Sequence, residues 1–141
     1  MSLKKYKEDF ILMLETGFIA VNQADEDSAL KLFKAAELLK PGNSLPKVGF
    51  GYLHLHKLEL TQAVRCFEDV LDKEPKNEMA RAFLGICMSL MPAQVEKGEK
   101  VLAETLKSKD PMIKNLAHTA IDFVDKFVKT TPGPATGKKK P

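Results

Sequence analysis

Cysteine is scarce in this 141-residue chain. Two thiols, Cys66 and Cys87, exclude a disulfide framework. A charge excess of one sign is also lacking. Lysine plus arginine number 22 against 19 acids, and Lys138, Lys139 and Lys140 supply the whole net charge of +3. The balanced remainder gives no reason to expect a nucleic-acid-binding face. No apolar run reaches eighteen residues and no signal-type leader opens the chain, so the expectation is a protein of the reducing cytoplasm without stable membrane insertion. What the chain does have is an apolar fraction of 44%, enough to build the core of one domain.

The chain also has a period. Gly17, Gly51 and Gly85 are spaced by 34 residues, and Ala29 with Ala63, Phe33 with Phe67, Pro41 with Pro75 and Asn43 with Asn77 repeat the same interval. A repeat of this length implies a helical pair per unit, stacked on its neighbours. Glycine inside an apolar helix costs about 1 kcal/mol relative to alanine. That cost predicts a close backbone approach, with Ala29 or Ala63 meeting the glycine and Phe33 or Phe67 filling space one turn later. Pro41 and Pro75 cannot continue a helix and close their units.

The spacing predicts helices over about 4–22, 26–40, 44–57, 60–74, 77–91, 93–108 and 111–129. Asp110-Pro111 is a start signal for the last, an N-cap acid followed by proline at the first helical position. The third repeat departs from the pattern. Lys97 stands where a small residue is expected, with Gly98 beside it, no aromatic follows, and Met91-Pro92-Ala93 is placed to hold an inserted residue. Residues 130–141, rich in Pro, Gly and Lys, read as a disordered tail.

The pattern resembles the tetratricopeptide repeat, with glycine at the eighth residue of a unit, alanine at the twentieth, an aromatic at the twenty-fourth and proline at the thirty-second. The resemblance implies an all-α right-handed superhelix over residues 1–129. Its repeats would be 10–43, 44–77 and 78–110, with 111–129 as a capping helix. It also implies a concave groove lined by the first helix of each pair. The groove positions hold Ile11, Leu14, Phe18, Val21 and Asn22 in the first repeat, and Leu45, Val48, Tyr52, Leu55 and His56 in the second. In the third they hold Met79, Ala82, Ile86, Ser89 and Leu90. Most are apolar, which points to an amphipathic helix as guest. Leu12, Met13, Ile19 and Ala20 fall on the arc expected to pack on partner helices. With Leu14, Phe18 and Met79 in the groove, no lysine-and-asparagine clamp for carboxylates is present.

Leu106 to Ile113, containing Ser108-x-Asp110-Pro111 ahead of an amphipathic helix, resembles the ending of the needle-subunit chaperones of bacterial type III secretion. That resemblance implies a chaperone holding a helix of the needle subunit and blocking its premature polymerisation, with a small co-chaperone as further partner. Chaperones of the pore-forming translocators and a self-associating adaptor are the alternatives. No cofactor, metal or enzymatic activity is expected. His54 and His56 lie about 200° apart on a helix and cannot share an ion. Cys66 and Cys87 read as buried free thiols, and Gly49-Phe50-Gly51 is too short and too helical for a phosphate loop.

Overall fold

The computed structural model describes residues 3–128, and within them there is no β-strand. Seven α-helices follow in order: α1 Leu3–Asn22, α2 Glu26–Leu39, α3 Leu45–His56, α4 Leu60–Lys73, α5 Glu78–Ser89, α6 Val95–Thr105 and α7 Pro111–Phe123. A π-type turn, Val124–Val128, continues α7. Each helix stands where the sequence spacing places it, to within three residues at most ends. Residues 130–141, expected to form a disordered tail, lie outside the described residues. None of the described helices is long and apolar enough to cross a membrane. The helices form two compact units, one ending at Ala80 and the other beginning at Arg81, so the division falls in the first turn of α5.

In the first unit, α1 pairs with α2 and α3 with α4. The turns between partners are three residues long, and each reverses the chain through a residue with positive φ: Ala24 at 61° and Leu58 at 59°. The hydrogen bonds are the same in both. Asp25 N–H reaches Ala20 O at 2.8 Å and Ala24 N–H reaches Val21 O at 3.0 Å; Glu59 N–H reaches His54 O and Leu58 N–H reaches Leu55 O, each at 2.9 Å. This double closure satisfies the last carbonyls of a helix and normally uses glycine. A left-handed leucine costs about 1–2 kcal/mol, whereas glycine loses about 0.5–1 kcal/mol more entropy on folding. Because Leu58 is also exposed, Leu58→Gly is expected to raise stability by about 0.5–1 kcal/mol, measurable as a shifted urea midpoint. Lys57 ties this turn to the start of α2 through Glu26 at 2.7 Å, and that bond holds its ammonium pKa above the ordinary value.

The glycine positions fix how the pairs close. Phe33 of α2 is fully buried. A methyl group added at Gly17 of α1 or at Gly49 of α3 would come 2.5 Å from the same ring carbon, Phe33 Cε1. One ring therefore occupies the space left by two glycines on two helices. Phe18 and Phe50 pack against it edge-on, with centroids at 5.3 and 5.7 Å. Gly51 stands against Phe67 in the same way, at 2.7 Å. An aromatic ring thus comes nearest to Gly17, Gly49 and Gly51. Ala29 and Ala63 are fully buried.

In the second unit the close approach is between backbones. A Cβ on Gly98 would lie 2.6 Å from Ser89 N and 2.8 Å from Gly85 O, and one on Gly85 would lie 2.9 Å from Leu102 Cγ. A 3-10 turn, Pro92–Gln94, precedes α6 and holds the inserted residue. It moves the register by one, so Gly98 stands in the small-residue place and Leu102 in the aromatic one. Despite the irregular sequence count, Gly98 and Leu102 of α6 both pack closely on α5. Ser89, fully buried, donates its hydroxyl to Gly85 O at 2.8 Å. Arg81 on α5 meets Glu104 on α6 at 3.3 Å, as antiparallel helices require. Helix α7 starts from nested caps. Ser108 Oγ accepts Asp110 N–H at 3.0 Å, and the Asp110 carboxylate accepts Met112 N–H at 2.9 Å.

Candidate functional site

The groove positions of the first unit divide between core and surface. Leu14, Val21 and Val48 are buried, Val48 completely. They hold the fold together and cannot line a groove while it stands. For Leu14 and Val21 the reason is that α1 is apolar around most of its circumference, so spacing alone does not settle which arc turns inward. The correction extends to the opposite arc. Ala20 is buried and Met13 packs on the core, but Leu12 and Ile19, expected against partner helices, are exposed.

Phe18, Leu45, Tyr52, Leu55 and Met79 are at least partly accessible, and Ile11 is open. Of these, Phe18 and Tyr52 form a continuous aromatic surface. Their centroids are 5.2 Å apart, and the His56 ring lies 4.3 Å beyond Tyr52. Tyr52 donates its hydroxyl to Asn22 Oδ1 at 2.7 Å, pinning α3 to the end of α1. Burial pushes the Tyr52 phenol pKa up, and the Asn22 bond draws it partly back. The tyrosine is therefore structural at its hydroxyl and open only along part of its ring. His54 points elsewhere, to Glu59 Oε1 at 2.7 Å. Cys66 is half-buried with its thiol pKa raised by that burial, and Cys87 is buried.

The first unit also has a cleft of about 350 Å³ at the turn between α2 and α3, reaching α4. Its wall mixes Glu37, Asp69 and Asp72 with Lys47 and Lys73, and Lys47 already meets Asp69 at 3.7 Å. Three carboxylates against two lysines leave a wall of mixed sign with no concentrated charge to select an ion. No group of three metal-ligating side chains forms among the described residues.

The second unit holds an open slot of about 250 Å³ whose wall is apolar. Ile86 of α5 and Leu90 just after it form one side; Leu116, Thr119, Ala120 and Phe123 of α7 form the other, with Val124 beyond. Two of the expected groove residues are thus brought together here, whereas Ala82 is fully buried. The α7 side was missed in the sequence, where 111–129 reads as a cap rather than a wall. The 3.6-residue recurrence of Leu116, Ala120 and Phe123 carried the signal. Phe123 is 49% exposed at the rim, so part of a large aromatic face stays open to water beside the apolar slot.

No family model, curated protein or solved structure matches the chain.

Proposed function

We propose that this protein is a helical-repeat chaperone that holds an amphipathic helix of a secretion-needle subunit in the cytoplasm and so prevents its premature polymerisation. The observation that carries the reading is the apolar slot between α5 and α7. It accepts side chains, offers no ionisable group to a substrate, and is bounded by the half-exposed Phe123. An amphipathic helix supplies the complement, apolar anchors at i, i+3 or i+4, and i+7 with a polar outer face. The Ser108-x-Asp110-Pro111 element supports the same reading in a second way. Its nested caps fix where α7 begins and hence which of its residues form the wall. Containment then follows by competition, because a helix seated in the slot cannot pack into a filament. A small co-chaperone belongs to the same reading.

The test is co-purification of the full chain from its native cells, comparing wild type with Phe123→Asp. The expected wild-type partner is a small helical subunit of needle type. Phe123→Asp should weaken its capture at least tenfold, as for a central anchor residue, while the helical circular-dichroism signal is kept. A large partner with membrane-active helices would replace this reading with that of a translocator chaperone. Association with copies of itself alone would leave an adaptor.

A further inference from the structure

Helix α1 carries a second apolar face, distinct from the slot. Ile11, Leu12 and Ile19 are 52%, 60% and 53% exposed. At 100° per residue they lie within about 100° of arc, with Glu8 and Glu15 between them. The repeat shows what such a face does when covered. Thirty-four residues on, Leu12 and Ile19 correspond to Pro46 and Leu53 of α3. Pro46 is fully buried; Leu53 is 5% exposed and belongs to the core formed with α1 and α2. Ile11 corresponds to Leu45, which is itself 37% exposed, so the part of this face covered on α3 is the part around Pro46 and Leu53, and its equivalent on α1, Leu12 and Ile19, is left open.

The same comparison restricts the occupant. On α3 the covering group is Phe33, seated in the space left by Gly49 and packed on Phe50. On α1 the matching positions are Glu15 and Thr16, both exposed. An aromatic-bearing helix like α2 of a second copy would meet a carboxylate where it needs a hollow and a hydroxyl where it needs a ring. Stacking of copies by the internal rule is thus blocked.

The local charge points to a different guest. From Glu8 to Leu30 the chain carries Glu8, Asp9, Glu15, Asp25, Glu26 and Asp27 and no lysine or arginine. Of these, Asp9 is paired with Lys5, Glu26 with Lys57, and Asp25 caps α2 through Ser28 N–H. Glu8 and Glu15 are exposed within the apolar stripe itself. The cation on that arc, Lys4, stands at the start of the helix, one turn (about 6 Å of rise) before Glu8 and about 16 Å before Glu15, so Glu15 is the carboxylate farther from any positive charge of its own helix.

We infer that the outer face of α1 docks a basic amphipathic helix of another protein, whose apolar anchors cover Leu12 and Ile19 and whose lysines or arginines meet Glu8 and Glu15. The slot plays no part in this contact. The charges set orientation and exclude acidic competitors, and the apolar anchors supply the affinity.

Site-specific photo-crosslinking of the full chain in its native cells tests this, with a benzophenone side chain in place of Leu12 and, in a second variant, of Ile19. The expected adduct, sequenced by mass spectrometry, is an amphipathic helical segment with lysine or arginine beside its apolar anchors. Adding Glu8→Lys and Glu15→Lys should cut the adduct about tenfold with an unchanged helical circular-dichroism spectrum. An adduct with a second copy of the chain, an adduct with an acidic or uncharged segment, or no adduct from either position would overturn the inference. Phe123→Asp should leave this adduct in place. Loss of the adduct in that variant would mean that the crosslink reports slot binding and would likewise overturn it.

Discussion

Phe33→Ala should cost about 3–5 kcal/mol, the range for removing a buried phenylalanine whose site cannot collapse. The reason lies in its surroundings. Both helices that face the ring present glycine, so no neighbouring Cβ can move into the void. Phe18 and Phe50 lose their edge contacts at the same time. With total stability of a domain near 5–15 kcal/mol, the first unit would be close to unfolding at room temperature. A double-mutant cycle makes the geometry visible. Gly17→Ala alone should destabilise, because its methyl group meets Phe33 Cε1 at 2.5 Å. In the Phe33→Ala background the same change should be neutral or stabilising, since the obstacle is gone and alanine favours the helix by about 1 kcal/mol. Denaturant titration of the four proteins reads the coupling, expected to exceed about 1 kcal/mol. A coupling near zero would mean that ring and glycine do not meet.

Gly98→Ala is expected to be the second most damaging change. The obstacle here is backbone, Ser89 N at 2.6 Å and Gly85 O at 2.8 Å, which cannot turn aside as a side chain can. Overpacking costs about 1–3 kcal/mol and rises when the neighbour is fixed, against about 1 kcal/mol returned by helix propensity. With a fixed backbone as the obstacle the upper end applies, a net loss of up to about 2 kcal/mol, seen as a melting temperature lowered by several degrees. The buried bond from Ser89 Oγ to Gly85 O would be strained with it. Gly42→Ala is the control, because nothing lies within 4 Å of the added carbon. Its expected effect is within about 0.5 kcal/mol. Equal effects at the two glycines would contradict the close crossing of α5 and α6.

The helices were legible because a 34-residue period constrains many positions at once, and Asp110-Pro111 marked the start of α7 through local capping chemistry. Other features had no readable sign. The left-handed residues at Ala24 and Leu58 are not glycines, so their conformation is imposed by the turn and its carbonyls. The close packing of α6 on α5 was hidden by one residue. A strict 34-residue count lands on Lys97 and Val101, whereas the 3-10 turn at Pro92 transfers their roles to Gly98 and Leu102. The candidate site was the least legible part. On α1 most positions from Phe10 to Val21 are apolar, so the periodic signal loses its phase. Leu14 and Val21 turned inward while Leu12 and Ile19 turned out. Ile86 and Leu90 fell where a lining was expected, but the opposite wall came from a helix whose sequence suggested only a lid.

Position 15 and its equivalents 49 and 83 read Glu, Gly and Phe. Where Phe33 needs a hollow there is glycine; 34 residues later a phenylalanine takes its place. Excising residues 44–77 as a cassette would bring Phe33 face to face with Phe83, two rings in a space shaped for one. The repeats therefore share a period without being interchangeable parts, and shortening this protein by one of them calls for redesign of the new junction rather than simple deletion.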